Sequence, residues 1–446
     1  MSSSLPGSDK WATIDSLPAE LITEIFEWAQ PKLRPLHKLP FEVVLSHVSS
    51  SWRSCALATH MLWRRIDIYS IRSFDRLSHY LQRSGTQLSL DIYIDLYKED
   101  RYISFGFQRK RQMVQFIANA LLPHIHRART LLILAYYEHT SVMLLSKFIN
   151  SLAPELQTLR MVFGHPSTTG GLPQTTFLET DLLDCPRPLA LQNLTTLYLH
   201  TVSDSLNLSY RSFVTMVTAP PYLSHLSLQG SMEMSSSDLP SYSSWPGFVM
   251  SHLKSLRIQD GGMFALRILL LMFAPNLESL WLDYSFNNFG YLFDAPHVTQ
   301  PSRFPALKYL TIPTYGFSHC NNMSRVFPTI THLHLPHANF YRDDRLLDFL
   351  LGQWKSLHTL IVEMVRQSQN SRFHSALRHI LPYRRNAGYP IRKLLVDEHL
   401  FRALKKEGSD ISAEVDIELL SLDTYKEPWW VMSYERRQMN LMYEYV

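Results

Sequence analysis

The chain is poor in the residues on which several protein classes depend. Its 446 residues include only three cysteines and 15 glycines. Cys55, Cys185 and Cys320 lie far apart without a CxxC pair, so they support neither a disulfide framework nor a zinc site, and they fit a reducing compartment. The scarcity of glycine argues against glycine-rich nucleotide-binding loops. We therefore expect an intracellular folded protein that is cytoplasmic and/or nuclear.

Long apolar runs and dense basic clusters are also lacking. The most apolar stretch, 263–274, is too short to span a bilayer and contains Arg267. The polar N-terminus has no signal-peptide core. The net charge is +4, but basic runs such as 109–111 and 384–385 are short, whereas nucleic-acid binding needs a concentrated basic face. We expect neither a membrane nor a nucleic-acid partner.

Catalytic and metal-binding motifs do not occur. The chain has no GxSxG, P-loop, GxGxxG or HExxH sequence. Histidines cluster at His332, His334 and His337 and again at His124 and His126, but no further ligand stands at a suitable spacing. We predict no catalytic residue, no metal and no cofactor, and therefore a protein that is not an enzyme. A hydrolase without a recognised motif is the alternative that an activity screen would test.

The N-terminal sequence predicts a small helical unit with more apolar surface than it can bury. Residues 16–29 read as a helix with two apolar stripes, and a second helix is predicted over 41–59 before a strand at 66–69. The first stripe contains Leu21, Ile25 and Trp28, and the second contains Ile22, Phe26 and Ala29. About fifty residues form only a small core, so surplus apolar side chains indicate a partner.

This segment resembles an F-box of the kind that fungi carry in large numbers. The matching positions, in order, are Leu17-Pro18, Glu20-Leu21-Ile22, Ile25-Phe26, Leu45, Val48, Trp52-Arg53, Ala56 and Leu62-Trp63. Ser49 stands where cysteine is common. The resemblance implies a module over 13–66, after a flexible tail at 1–12, that binds a Skp-family adaptor and through it a cullin. It implies that the adaptor is faced or braced by Leu17, Pro18, Leu21, Ile25, Phe26, Val48 and Trp52. The alternative is a helical bundle that matches by chance.

The rest of the chain repeats an apolar-x-x-apolar-x-apolar pattern. Ten copies begin at Ala128, Leu156, Leu194, Leu223, Leu253, Leu277, Leu307, Ile330, Leu357 and Ile391. Their starts are separated by 23 residues (Leu307 to Ile330) to 38 residues (Leu156 to Leu194). Proline precedes several copies, which indicates a preceding helix that ends and a strand that begins. We predict helices between the strands at 210–218, 264–273, 343–353 and 373–380.

This pattern resembles leucine-rich repeats of irregular length. The fold class that both resemblances imply is α/β: a small helical F-box followed by an irregular leucine-rich-repeat solenoid, a horseshoe of short parallel strands and helices. The predicted ranges are 67–127 for a connecting or irregular first repeat, 128–400 for the repeats and 401–446 for a C-terminal cap. A generic α/β domain is the alternative fold, and a separate docking element is the alternative role of the C-terminal tail.

Residues between the apolar positions of each strand should lie on the opposite face of the sheet. This face is rich in Trp, Tyr, Arg and His, which suits protein binding. We predict that an exposed Trp281, flanked by Arg257 and Tyr309, marks its centre. The candidate target-binding residues are Tyr198, His225, Arg257, Trp281, Tyr309 and His334. The alternative is a solvated face, with the ligand bound at a loop or an edge.

The function predicted from these features is that of a non-catalytic substrate receptor of a Skp–cullin–F-box ubiquitin ligase. The F-box would bind the adaptor and the repeats would bind a target protein that the sequence does not identify. The alternative is a ligase-independent scaffold that uses the same two parts for protein assembly.

Overall fold

A computed structural model describes the helical N-terminus and most strands of the repeat region. The described residues are 14, 17–31, 39–69, 74–96, 107–137, 144, 147–148, 153–165, 191–201, 206–207, 210–230, 232–233, 247–259, 268–283, 303–312, 323–338, 350, 354–364, 370–407 and 409–420. No helix among these residues is long and apolar enough to cross a membrane. The predicted flexible tail and most of the helix predicted at 343–353 lie outside them.

Among the described residues, thirteen strands form one parallel sheet whose order follows the chain, β1-β2-β3-β4-β5-β7-β10-β12-β13-β14-β15-β16-β17, and two short parallel pairs, β6-β8 and β9-β11, are separate from it. The strands are β1 (Arg65–Ile68), β2 (Leu90–Asp95), β3 (Ala128–Tyr137), β4 (Thr158–His165), β5 (Thr196–Thr201), β6 (Leu206–Asn207), β7 (His225–Gln229), β8 (Met232–Glu233), β9 (Phe248–Val249), β10 (Ser255–Gln259), β11 (Met272–Phe273), β12 (Ser279–Asp283), β13 (Tyr309–Thr311), β14 (His332–Ala338), β15 (Thr359–Met364), β16 (Lys393–Val396) and β17 (Asp416–Leu419). This sequential parallel order is that of a solenoid-like α/β fold.

Helices flank the sheet and form the N-terminus. They are α1 (Ala19–Ala29), α2 (Phe41–Ser46), α3 (Ser50–Ala58), α4 (Phe74–Arg83), α5 (Phe107–Leu121), α6 (Tyr210–Thr218), α7 (Met323–Val326), α8 (Asn370–Asn386), α9 (Glu398–Glu407) and α10 (Ser409–Ser412), with 3-10 turns at His60–Trp63 and Leu122–Arg127. The helix predicted at 210–218 is confirmed, and that at 373–380 lies within α8. The helix predicted at 264–273 is wrong at its end, because Met272 and Phe273 form β11.

The repeated apolar pattern places its three side chains in the core in every copy. All of them are buried, from Ala128 in the first copy to Val396 in the last. Their middle residues lie in register as one row: Leu197, Leu226, Leu256, Leu280, Leu310, Leu333, Leu360 and Leu394. Stacked strands bury a continuous apolar row that one repeat alone could not bury.

A tight turn precedes most of these strands. The first leucine of the pattern donates its backbone N–H to the carbonyl three residues earlier, as from Leu223 to Pro220 (3.3 Å), Leu277 to Ala274 (3.2 Å) and Leu307 to Phe304 (3.2 Å). Proline suits such a turn because it fixes φ and needs no N–H partner. The predicted link between proline and the start of a strand thus has a structural cause.

The sheet extends beyond the range predicted for repeats at both ends. β1 begins at Arg65, within the range predicted for the helical module, and pairs in parallel with β2. β17 lies within the range predicted for a C-terminal cap and pairs in parallel with β16. The strand predicted at 66–69 is confirmed as β1, and it carries a further copy of the apolar pattern at Trp63, Ile66 and Ile68, all of which are buried. β17 lacks the pattern, because Glu414 stands at its first apolar position.

The N-terminal helical module (17–63) differs from the prediction in one element. The helix predicted over 41–59 is two helices, because Ser49 adopts an extended conformation and its hydroxyl accepts the backbone N–H of Trp52 at 3.1 Å. A side chain that bonds to the backbone in this way begins a new helix. Val48, next to the break, is exposed, whereas Leu45 before it and Ala56 after it are buried.

Buried contacts join this module to the sheet. The fully buried Glu42 of α2 accepts a hydrogen bond from the hydroxyl of Tyr80 in α4. The ring of Tyr80 packs edge-on against Trp63 at 5.1 Å, and the Trp63 indole N–H donates to the carbonyl of Ala56 at 2.8 Å. The core is continuous from Ile22 in α1 to Val415 before β17.

Candidate functional site

Helix α1 buries one of its two apolar stripes and exposes the other. Ile22 and Phe26 are 2% and 1% exposed. Leu21, Ile25 and Trp28 are 47%, 42% and 84% exposed, and their spacing places them on one side of the helix. The prediction of two stripes is therefore confirmed, and one of them is available to a partner.

The remainder of the module adds to this exposed apolar surface. Eight of the fourteen exposed large apolar side chains among the described residues fall between 14 and 57. Besides the three on α1, they are Ile14, Leu39, Val44, Val48 and Leu57. Scattered single apolar residues are normal on a protein surface, whereas this concentration in one short segment indicates an interaction site. We call these eight residues the apolar docking surface.

The residues predicted to contact or brace an adaptor divide into two groups. Pro18, Leu21, Ile25 and Val48 are exposed. Leu17 and Trp52 are partly buried against the core, and Phe26 is buried with its ring 5.0 Å from that of Trp52.

Leu17, Trp52 and Phe26 can therefore brace the exposed surface from below. Only the exposed fraction of Leu17 and Trp52 can itself contact a partner. The predicted set omitted Trp28, the most exposed apolar side chain of the module, and also Val44 and Leu57. Trp28 follows Leu21 and Ile25 at helical spacing. Its place in this apolar stripe could therefore have indicated that it belongs to the set of adaptor-binding residues.

The residues predicted to bind a target do lie on one face of the sheet. Strand register aligns them in two rows, which we call the polar face. The first row is Tyr198, Ser227, Arg257, Trp281, Thr311 and His334, and the second is His225, Ser255, Ser279, Tyr309 and His332. All six predicted residues are included. The small residues between them, Ser227, Ser255, Ser279 and Thr311, were not among the predicted residues.

Large side chains of the first row interlock across strands. The Arg257 guanidinium lies over the Trp281 ring at 4.3 Å, and the Trp281 ring meets that of His334 edge-on at 6.3 Å. The His334 Nε2 atom lies 3.0 Å from the Glu363 carboxylate. Upstream, the Arg160 guanidinium lies 5.5 Å from the centre of the Tyr198 ring. The row therefore holds two sets of side-chain contacts, one between Arg160 and Tyr198 and one that runs from Arg257 to Glu363.

Two expectations about Trp281 are wrong. The residue is buried, at 2% exposure, because neighbouring side chains such as Arg257 and His334 pack against its ring. Its register neighbours are Arg257 and Thr311, whereas Tyr309 lies in the second row and packs against His332 at 4.4 Å. Arg257 is likewise buried, at 4%. Tyr198, His225, Tyr309 and His334 are partly exposed.

Two histidines of this region, His200 and His332, are held neutral at neutral pH. Burial lowers the pKa of His200 to about 3, and the nearby Arg160 and Arg257 add to the effect. Burial also lowers the pKa of His332 to about 4, with contributions from His358, Lys308 and Lys393. Desolvation and nearby positive charge both disfavour the imidazolium form. At neutral pH the positive charge of the region around His200 therefore comes from arginine.

Several buried polar atoms of the polar-face region have no hydrogen-bond partner in the structure: His200 Nδ1, Ser255 Oγ, Ser279 Oγ and Trp281 Nε1. For metals, the described residues contain no group of three or more His, Cys, Asp or Glu side chains placed to hold an ion. His332 and His334 lie in different rows, and the side chain of His337 is outside the described part of the chain.

Comparison with known proteins adds little to these observations. No family model matches the chain, and no curated protein matches it. A similar solved structure is that of a Bacteroides fragilis protein from a structural genomics consortium, with 16% identity over 73% of this chain and 86% of that chain and a TM-score of 0.38. A likeness this weak supports no conclusion about fold or function. The chain is therefore defined by its own features, a solenoid-like α/β protein with an apolar helical module at its N-terminus.

Proposed function

We propose that the chain is a non-catalytic substrate receptor of a Skp–cullin–F-box ubiquitin ligase. In this proposal the N-terminal module is an F-box that binds the Skp-family adaptor, and the solenoid is an irregular leucine-rich-repeat array whose polar face binds a target protein. A receptor of this kind needs no catalytic residue of its own. It accelerates ubiquitin transfer because tethering raises the local concentration of target lysines near the charged conjugating enzyme.

The apolar docking surface is the observation that carries the proposal. Leu21, Ile25 and Trp28 are exposed on a helix whose other apolar stripe is already buried. Covering a large apolar side chain is worth roughly 1.5–3 kcal/mol, so a partner that covers several of them gains substantial affinity. The resemblance of 13–66 to an F-box suggests which partner this is, since it implies that Leu21 and Ile25 face a Skp-family adaptor.

The position of the module suits this role. Its closing Leu62-Trp63 pair is buried and leads directly into β1, so the sheet begins where the module ends. The Tyr80–Glu42 hydrogen bond and the Trp63 contacts fix α2 and α3 against α4. A target bound on the sheet would therefore be held at a defined distance from the adaptor, which favours transfer to particular lysines.

Affinity purification with mass spectrometry tests the proposal. Wild type should capture the adaptor together with a cullin. The Leu17→Ala/Pro18→Ala double variant should capture at least about tenfold less of both, because it removes the exposed Pro18 ring and the partly buried Leu17 side chain at the start of α1, next to the apolar docking surface. Phe116→Gln is the control, since Phe116 is half-exposed on α5 away from the module and its replacement should leave capture unchanged.

Two results would count against the proposal. Equal capture of the adaptor by wild type and the double variant would contradict the docking assignment. Capture of an adaptor without any cullin would instead favour the ligase-independent scaffold. Proteins that co-purify equally with wild type and the double variant are candidate targets, because they bind elsewhere on the chain.

A further inference from the structure

Helix α1 carries a third stripe, which is acidic and lies beside its exposed apolar stripe. Glu20, Glu24 and Glu27 are exposed, and each stands one residue before a member of the exposed apolar stripe. Because successive residues of a helix point about 100° apart, the two stripes run side by side. The buried Ile22 and Phe26 each follow a glutamate by two residues, so the glutamates point away from the core. We call the three glutamates the acidic stripe.

The helix itself does not account for this stripe. Glu20 lies in the first turn of α1, where the positive end of the helix dipole favours a carboxylate. Glu27 lies near the C-terminal end, where the dipole disfavours it, and no basic residue stands in the last turn. Glu24 is four residues from Glu20 and three from Glu27, spacings at which like charges repel. The local effects therefore oppose two of the three glutamates.

No described residue neutralises the acidic stripe. Neither a hydrogen bond nor an ion pair joins its side chains to another residue that the structure describes. Of the arginine and lysine side chains in the N-terminal helical module, only Arg53 falls within the described ranges, and its Nε donates to the Ser46 carbonyl at 2.8 Å. Lys32, Arg34 and Lys38 lie outside these ranges. The described surface of the module therefore combines apolar side chains with unpaired negative charge.

The apolar stripe beside these glutamates leaves the same side of α1 open to a partner, with Trp28 84% exposed near its end. Protein interfaces commonly place apolar side chains at the centre and polar or charged ones at the rim. A carboxylate that is covered by an apolar or acidic surface loses hydration without compensation, whereas a facing lysine or arginine restores an attractive interaction. The surface of α1 therefore fits an apolar groove that has one basic wall.

We propose that α1 docks with Leu21, Ile25 and Trp28 in an apolar groove of its partner, while the acidic stripe pairs with lysine or arginine side chains along one wall of that groove. The identity of the partner, the Skp-family adaptor, rests on the proposed function. The inference adds the chemistry of the adaptor surface. It also adds Trp28 and the three glutamates, none of which was among the predicted adaptor-binding residues.

The salt dependence of association between purified full-length chain and purified Skp-family adaptor tests the charged half of the surface. Charges at the rim of an interface act mainly on the association rate, since they attract the partner before contact and are screened by salt. In biolayer interferometry, raising NaCl from about 50 mM to about 500 mM should slow wild-type association about threefold or more.

Matched charge variants assign this effect to the acidic stripe. Glu24→Gln/Glu27→Gln should slow association at low salt about threefold, remove most of the salt dependence, and leave the thermal midpoint equal or higher because like charges no longer repel. Glu278→Gln/Asp416→Asn is the control. It changes the net charge by the same amount at two exposed positions of the solenoid and should keep wild-type kinetics.

A separate variant tests the apolar half. Trp28→Ala should raise the dissociation rate about tenfold at both salt concentrations, because the lost contact is apolar and is not screened. The thermal midpoint should stay unchanged, since the side chain makes little contact with the rest of the chain.

Association that is independent of salt and unchanged in Glu24→Gln/Glu27→Gln would overturn the inference, and would indicate glutamates that stay solvated or are neutralised within the chain. Faster association of this variant would overturn it too, because the adaptor wall would then be acidic. Equal slowing of the control would assign the effect to net charge alone, with the same consequence. All three results leave the proposed function intact as long as wild type binds the adaptor, whereas a lack of wild-type binding would refute both.

Discussion

Two buried arginines show how single residues stabilise this irregular solenoid. Arg384 is fully buried and donates to the carbonyls of Leu350, Trp354 and Leu357 at 2.7, 2.8 and 3.3 Å. Arg127, 2% exposed, donates in the same manner near the other end of the sheet, to Leu81 and to Ser84. Each guanidinium thus joins neighbouring segments through hydrogen bonds to buried oxygen atoms.

Arg384→Met should lower the free energy of unfolding by about 2 kcal/mol or more, because the carbonyls of Leu350 and Leu357 lose their donor at about 1–3 kcal/mol each, whereas the Trp354 carbonyl keeps the Leu357 N–H. The shift of the urea midpoint measures this loss. Arg385→Met is the matched control, since the Arg385 side chain is 55% exposed and pairs with Glu414 at the surface. That variant should change stability by less than about 1 kcal/mol. Equal shifts for the two variants would show that Arg384 has no special role.

The sequence did not predict which individual side chains are buried. Arg384 and Arg385 read alike as a short basic run, yet adjacent helical positions point about 100° apart and only one of them meets the core. Trp281 was expected to be exposed because its strand position faces away from the leucine rows. Its burial depends on the neighbouring side chains of Arg257 and His334, which a single-strand pattern does not specify.

At the scale of elements, strands were predictable and helix ends were not. The apolar pattern predicts the strands because all three of its apolar positions must be buried for repeats to stack. The break between α2 and α3 depends on one side-chain bond, from the Trp52 N–H to Ser49. The spacing of apolar residues does not reveal such a hydrogen bond, so the two helices were predicted as one.

Ser49→Ala should destabilise the N-terminal module by about 1 kcal/mol, because it removes the N-terminal cap of α3. The thermal midpoint of the full chain and hydrogen exchange of the α3 amides measure the effect. Ser50→Ala, one residue further on and exposed, should lie within about 0.5 kcal/mol of wild type. Faster exchange in both variants alike would mean that Ser49 is not the residue that caps the helix.

For the whole molecule, one core joins the helical module to a sheet of thirteen strands. The solenoid-like architecture followed from the repeated pattern. The ends of the sheet were not predicted as repeats, because the copy of the pattern at Trp63, Ile66 and Ile68 lies in the segment that resembles an F-box, and β17 does not carry the pattern. The family resemblances of the module and of the repeats stay predictions.

Stability should fall as the pH is lowered from 7 to 5. The pKa of His200 is about 3 in the folded chain, against about 6.5 when unfolded, so between these values the unfolded state binds more protons. Stability is therefore full above about pH 6.5 and is lost as the pH falls toward 3. His200 alone accounts for about 2 kcal/mol between pH 7 and 5. His332, with a pKa of about 4, acts in the same direction.

Urea midpoints at pH 7 and 5 measure this change. His200→Gln is the matched variant, and it should show a smaller loss between the two pH values because glutamine does not titrate. An identical loss of stability in wild type and variant would mean that folding does not lower the pKa of His200.

The most direct test of the central claim is a titration of purified full-length chain with purified Skp-family adaptor by biolayer interferometry. Wild type should bind, and Leu21→Gln/Ile25→Gln should bind at least about tenfold more weakly at an unchanged thermal midpoint, because both side chains are exposed before binding and covered after it. Binding of the double variant with wild-type affinity, or no binding of wild type at all, would contradict the assignment of the apolar docking surface to the adaptor.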